Sequence, residues 1–234
     1  MSKNECWKLG EEVIKTCLAM NDSGLNHGKS GNVSVRYQDG FLITPSGVAY
    51  DQLAPDDLVF MDLEGRYRGD YLPSSEWRFH LAIYQARLDA QAVVHVHSSY
   101  AAALACLRQS IPAFHYMVAV AGGKNIRCAE YALFGTDVLS ETMMIALEDR
   151  KACLLANHGQ VAYGDSLANA YWLAGEVEGL ARDYCRAKAV GEPHILSDEQ
   201  MDDVLTKFRF YGKQIEDVPL EEHVFMDLPL KLIS

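Results

Sequence analysis

The chain has 234 residues, 49% hydrophobic and 23% charged, enough apolar material for a packed core and too much for a disordered chain. Its formal net charge of −11 argues against a nucleic-acid groove or an anionic membrane as partner, so an anionic ligand would need a local positive site. No linker divides the chain and no apolar run reaches membrane-spanning length, so a single soluble domain over 1–234 is expected. The start, Met1-Ser2-Lys3-Asn4-Glu5, lacks a basic segment followed by an apolar one. The six cysteines (Cys6, Cys17, Cys106, Cys128, Cys153, Cys185) are scattered without a CxxC pair and read as reduced core thiols of a cytoplasmic protein.

In chain order, Trp7, Gly10, Val13, Ile14, Cys17 and Leu18 recur at helical spacing and predict an amphipathic helix over 5–21. Two short alternating runs, 33–35 and 41–44, flank Tyr37-Gln38-Asp39-Gly40 and predict a hairpin, followed by a strand at 58–61. Ser74 or Ser75 is the expected N-cap of a helix through 76–84. An apolar strand from Ala92 leads into a helix over 101–107 capped by Ser98 or Ser99, and Thr136 or Asp137 opens another through Met144 and Leu147. Strands are expected at 152–157 and 160–163, then a long helix after Asp165 or Ser166 with Leu167, Ala170, Ala174, Val177 and Ala181 on one stripe. Ser197-Asp198-Glu199-Gln200 is a capping box for a last helix carrying Met201, Val204, Leu205, Phe208 and Tyr211, with Gly212 as its stop. Interspersed strands and helices with early hairpins predict a mixed sheet covered by helices on both faces.

His95-Val96-His97 closes the strand that begins at Ala92. Alternate strand residues share a face, so both imidazoles project together while Val96 packs the other way. His158, ending a second apolar run before Gly159, can add a third nitrogen, and Glu76 in Pro73-Ser74-Ser75-Glu76 can add an oxygen. Three histidines and a carboxylate suit Zn²⁺ or another divalent transition metal. An HxH pair also arises by chance among eight histidines, and spacing alone does not bring the two strands together. His80, one turn beyond Glu76, is expected to be a packed, hydrogen-bonded histidine.

Three polar segments, Gly28-Lys29-Ser30-Gly31-Asn32, Thr44-Pro45-Ser46-Gly47 and Pro73-Ser74-Ser75, each offer backbone N–H groups and hydroxyls. Singly each reads as a turn, and none is a Walker loop. A helix opening at Ser74 or Ser75 would favour a phosphate, and Lys29 would add positive charge. Convergence of the three beside a metal would imply a small phosphorylated substrate.

Together, Gly24-Leu25-Asn26-His27-Gly28-Lys29-Ser30-Gly31-Asn32-Val33-Ser34, Ile43-Thr44-Pro45-Ser46-Gly47, Pro73-Ser74-Ser75-Glu76, Val94-His95-Val96-His97 and Asn157-His158-Gly159 form an ordered motif set. In these residues the chain resembles the zinc-dependent class II aldolase and epimerase family, most closely its L-fuculose 1-phosphate aldolase branch. The likeness runs from the first helix to Gly212. It implies a three-layer α/β/α fold around a mixed, largely antiparallel sheet, and a homotetramer with active sites between subunits. It implies one Zn²⁺ per subunit on Glu76, His95, His97 and His158, and a phosphate pocket from Asn32, Ser46, Gly47, Ser74 and Ser75, with Lys29 beside it. Tyr116 matches a proton donor contributed by an adjacent subunit, and Tyr211 an aromatic near the sugar tail. The implied activity is cleavage of a ketose 1-phosphate to dihydroxyacetone phosphate and a small aldehyde, with Glu76 as general acid/base.

The chain departs from that branch at Lys29, where threonine is usual, at Ser30, where a smaller residue is usual, and in a C-terminal extension at about 214–234. These departures leave 5-deoxyribulose 1-phosphate and 5-methylthioribulose 1-phosphate as rivals to L-fuculose 1-phosphate. Methylthioribulose 1-phosphate dehydratase shares the scaffold. The L-ribulose 5-phosphate 4-epimerase branch uses an aspartate after the histidine pair, and here no Asp lies between Asp89 and Asp137. A non-catalytic module like the adducin head is the alternative of another class, and it has no reason to keep all four ligands.

Overall fold

The structure is a computed structural model that describes residues 3–212, 214–219, 221 and 222. It begins with helix α1 (Lys3–Asp22), followed by strands β1 (Asn32–Tyr37), β2 (Gly40–Ile43), β3 (Val59–Asp62) and β4 (Tyr67–Arg68). Helix α2 (Trp77–Ala86), β5 (Ala92–Val96) and α3 (Ser99–Cys106) come next, then β6 (Cys128–Ala129) and α4 (Asp137–Ala146). A tight pair, β7 (Ala152–Leu155) and β8 (Gly159–Gly164), precedes the long α5 (Leu167–Val190) and α6 (Asp198–Phe208).

Among the described residues, all eight strands form one sheet in the order β4-β3-β2-β1-β5-β8-β7-β6, antiparallel throughout except between β6 and β7. Strand alternation separates two cores. Ala92, Val94 and Val96 of β5 face one, shared with Val13 of α1, Leu104 of α3 and Val177 of α5. Val93 faces the other, shared with Phe79 and Ile83 of α2 and Leu139 and Met143 of α4. Helices thus cover both faces, as the mixed pattern predicts. Each fully buried aliphatic or Phe side chain contributes about 1.5–3 kcal/mol to holding these layers together. Among the described residues no helix is long and apolar enough to cross a membrane.

Several expectations shift in detail. The strand predicted over 152–157 stops at Leu155, because Asn157 adopts a left-handed backbone (φ 56) in the turn that feeds β8. Strands β4 and β6 are two residues each, too short to register as alternation. Neither Ser74 nor Ser75 caps α2; Glu76 itself is the N-cap. Helix α3 has Ser98 at its N-cap, but the carboxylate of Glu178 from α5 accepts from the amides of Tyr100 and Ala101. The capping box at Ser197 and Gln200 forms, yet α6 ends at Phe208, which leaves Tyr211 in the turn beyond the helical stripe. All six cysteines are free; Cys17 and Cys153 are buried, but Cys106 is exposed rather than in the core. Of the C-terminal extension, Ile215–Asp217 makes a single 3₁₀ turn, and residues 223–234 lie outside the described residues.

Candidate metal centre and substrate cleft

The metal candidates come from three places that the sheet brings to one end. His95 is the fourth residue of β5 and His97 follows its last; both lie on the α2 side because they share parity with Val93. His158 sits in the β7–β8 turn, and Glu76 caps α2. Close strand approach there requires glycine twice. A Cβ on Gly159 would stand 2.5 Å from the Val96 carbonyl oxygen, and one on Gly31 would stand 2.5 Å from that of His95.

One ligand atom from each of the four residues lies within 4.8 Å of all the others. His95 Nε2 is 3.1 Å from Glu76 Oε2 and 3.0 Å from His97 Nε2, while His158 Nε2 is 3.2 Å from Glu76 Oε1. The three imidazoles surround one point, with ring centroids 4.7 to 4.9 Å apart and planes crossed at 69° to 79°. Two imidazole nitrogens on one tetrahedral zinc would stand about 3.3 Å apart, close to what is seen. His95 Nδ1 donates to the Gln160 carbonyl oxygen at 2.8 Å, which leaves the Nε2 lone pair facing the cluster. Glu76 Oε1 is buried with no hydrogen-bond partner. An orphaned carboxylate oxygen beside converging nitrogen lone pairs fits a cation and is costly without one.

Electrostatics point the same way. Burial alone would raise the Glu76 pKa, but positive charge on its neighbours, protons on His95 and His158 when no metal is bound, holds it far below the usual carboxylate range, so the carboxylate is ionised. Burial, with His95 and His158 close by, pushes His97 down to about 3, so its imidazole is neutral and able to ligate.

The three polar segments predicted as anion binders do converge here. Ser74 N donates to the Thr44 carbonyl at 3.0 Å, a bridge links Pro45 to Pro73, and Lys29 Nζ donates to the Gly47 carbonyl at 2.7 Å. Gly28 and Gly47 both adopt positive φ (63 and 73), turns that suit glycine. A cleft of about 420 Å³ joins this region to the metal residues; its walls include Lys29, Ser30, Ser75, Glu76, His97 and His158. Tyr131, Ala132, Phe134 and Asn157 complete the lining. Tyr131 and Phe134 escaped the sequence reading; the available signal was a short apolar cluster, 131–134, outside any periodic element, and both rings are more than half exposed.

The other candidates lie differently. Ser74 is buried behind Ser75, whereas Ser46 and Gly47 are exposed beside Lys29. Asn32 is buried, and its amide donates to Glu76 Oε2 at 2.9 Å. Tyr116, in the 3₁₀ turn Tyr116–Ala121, and Tyr211 do not line the cleft. They meet each other through Phe208, which lies 6.3 Å from Tyr116 and stacks on Tyr211 at 4.7 Å.

Comparison with known proteins identifies the family. An L-fuculose phosphate aldolase of Escherichia coli (strain K12) is 53% identical over 211 residues, 90% of this chain and 98% of its own length. A 5-methylthioribulose-1-phosphate/5-deoxyribulose-1-phosphate aldolase of Rhodospirillum rubrum is 54% identical over 200 residues, 86% of this chain and 90% of its own. A solved L-fuculose 1-phosphate aldolase superposes with a TM-score of 0.84 at 44% identity, covering 90% of this chain and 98% of that one. The family model described as Class II Aldolase and Adducin N-terminal domain matches residues 11–185, and the chain belongs to that family.

Proposed function

We propose that the protein is a zinc-dependent aldolase that cleaves a ketose 1-phosphate, L-fuculose 1-phosphate or a 5-deoxy or 5-methylthio pentulose 1-phosphate, to dihydroxyacetone phosphate and a small aldehyde. The observation that carries this reading is the convergence of Glu76, His95, His97 and His158, three of which (Glu76, His97 and His158) line a cleft that also holds Lys29 and Ser75 while His95 lies buried behind it. An adducin-like binding module would have no use for that set. Aldolases acting on each of these substrates are close relatives over most of the chain.

A divalent metal on the four residues supplies Lewis-acid stabilisation of the charge that develops on the substrate as its C3–C4 bond breaks. Around it, the chain's residues divide the work. Lys29, Asn32, Ser46, Gly47, Ser74 and Ser75 hold the phosphate. Glu76, ionised at rest, is the general acid/base at C3, the carbon left with the electron pair: it removes the C3 proton in the condensation direction, and in cleavage it first takes up a proton from solvent and then delivers it to C3. Tyr116 exchanges the proton of the C4 oxygen, which becomes the aldehyde, and Tyr211 packs near the sugar tail. The family resemblance assigns both tyrosines to the site of a second copy in a homotetramer, and their exposure, 48% and 53%, and absence from the cleft of their own chain fit that assignment. Exposed Trp172, Tyr116 and Tyr211 give the apolar surface such an assembly would cover. Six free thiols support a reducing, cytoplasmic setting.

The test is a coupled assay for dihydroxyacetone phosphate with the three ketose 1-phosphates, with and without a chelator. Chelator-sensitive release is expected, and the preferred ketose assigns the aldehyde side chain. No release from any of them by metal-loaded protein would contradict aldol cleavage and turn attention to dehydratase or epimerase chemistry.

A further inference from the structure

One seam in the layer between β1 and α2 is polar where the surrounding packing is apolar. Strand alternation sends Val33, Val35 and Tyr37 of β1 into the core beneath α1 and α5, so Asn32 and Ser34 face α2 instead. Glu76, His80 and Tyr84 are spaced one turn apart and present one face of that helix to them. His80 and Ser34 are completely buried, and Asn32 and Tyr84 nearly so. Asn32 Nδ2 donates to Glu76 Oε2 at 2.9 Å, and Asn32 Oδ1 lies 2.6 Å from His80 Nε2. His80 Nδ1 lies 2.6 Å from Ser34 Oγ, which is 2.9 Å from the Tyr84 hydroxyl.

The direction of every bond follows from one end. Asn32 turns its amide nitrogen toward Glu76 Oε2 and its oxygen toward His80 Nε2, and an amide oxygen only accepts. His80 therefore donates from Nε2 and accepts at Nδ1. Ser34 must then donate to His80, and its remaining acceptor position takes the Tyr84 hydroxyl proton. Each bond polarises the next toward the carboxylate. Burial holds His80 neutral, as this single tautomer requires. The ring of His80 also stacks on Phe79 at 4.7 Å, which fixes its plane.

We propose that Tyr84, Ser34, His80 and Asn32 form a one-way hydrogen-bond chain that fixes the orientation of the Glu76 carboxylate, with His80 and Asn32 as positioning residues for the reaction. The proposal rests on the reading of Glu76 as metal ligand and base. Asn32 is the donor on Oε2, which leaves Oε1 turned toward His158 and the cluster. Without His80, Asn32 loses the partner that fixes its amide, and the carboxylate gains rotational freedom about its last bond. Apolar packing between β1 and α2 would hold the layers equally well, so the polar seam is accounted for by what it orients rather than by stability.

His80→Phe keeps the stacked ring and removes both hydrogen bonds; His80→Gln restores an N–H close to the Nε2 position. Three readouts decide: the split between kcat and KM, metal affinity by chelator competition, and the visible spectrum of the cobalt-substituted protein. In His80→Phe, kcat and metal affinity are expected to fall about 10- to 100-fold, the scale of losing an outer partner of a metal ligand. KM for the ketose phosphate should change much less than kcat, since Asn32 is the single phosphate-holding residue that is loosened, the cobalt spectrum should change, and His80→Gln should recover most of the loss. If His80→Phe melts earlier yet keeps kcat, metal affinity and cobalt spectrum, the seam is only structural and the proposal falls. Should His80→Phe not fold, Ser34→Ala breaks the same chain with one oxygen removed: a several-fold drop in kcat at constant KM supports the chain, and an unchanged kcat overturns it. Glu76→Gln run in parallel separates the two levels. Wild-type turnover in Glu76→Gln would overturn the reading of Glu76 itself, whereas an inactive Glu76→Gln beside an unchanged His80→Phe would overturn the chain alone.

Discussion

The cleft around Glu76 and the aromatic surface around Tyr116 are built on opposite principles. Every metal candidate is anchored to a strand end, a hairpin turn or a helix cap, and His95 and Glu76 are buried. The ligand atoms therefore converge within one chain, before any partner is present. Tyr116 sits in a 3₁₀ turn and Tyr211 past the end of α6, about half exposed and packed on Phe208. A rigid, preorganised cluster suits the group that must stabilise charge. An exposed aromatic edge suits a contact completed by a second copy.

The largest effect that would break this contrast is removal of a ligand. His95→Ala should abolish stoichiometric metal, read by elemental analysis, and lower turnover by about 10³-fold or more, the scale of losing transition-state charge stabilisation. Wild-type turnover in metal-free His95→Ala protein would remove the cleft from the account. Tyr116→Phe should leave metal content at the wild-type level and lower kcat by about 10²-fold, the low end of general acid–base catalysis. Loss of metal in that variant would mean that the two regions are not separable.

A smaller effect is expected at Lys29, whose ammonium is exposed and already bonded to the Gly47 carbonyl. Lys29→Ala should raise KM for the ketose phosphate about tenfold with kcat little changed, as one charge-assisted hydrogen bond would. A fall in kcat alone would place Lys29 in the chemistry instead. The smallest effect concerns pH. His80 and His97 are held neutral in the fold, with pKa pushed from 6.5 to about 3 by burial. Between about pH 3 and 6.5 the unfolded chain binds protons that the folded chain refuses, so their contribution favours the fold fully above 6.5 and is lost as pH falls through that window. Melting of metal-free protein across that range checks it, and His80→Gln should flatten the slope.

The same contrast explains what could be read without coordinates. Strand parity placed His95 and His97 on one face and Val96 in the opposite core, because a period of two is a property of the backbone. The convergence of the Lys29, Ser46 and Ser75 segments was legible only as a condition, since it depends on which strands are neighbours. Caps were harder: Ser74 and Ser75 have the right chemistry, yet the N-cap of α2 is Glu76, whose carboxylate faces the histidines instead of the helix amides. Tyr131 and Phe134 carry no periodicity, so nothing local marked them as cleft walls. The seam through His80 was half legible. Its burial was expected, but its partners stand on β1, more than forty residues away in sequence.

The most direct measurement mixes two defective chains. His95→Ala and Tyr116→Phe protein, each nearly inactive alone, are unfolded together, refolded as hybrids and assayed for dihydroxyacetone phosphate release with zinc present. If the preformed cleft of one chain is completed by the aromatic edge of another, hybrids regain a substantial fraction of wild-type activity, because some sites pair an intact cleft with an intact Tyr116. Activity no greater than the sum of the separate variants would contradict that account.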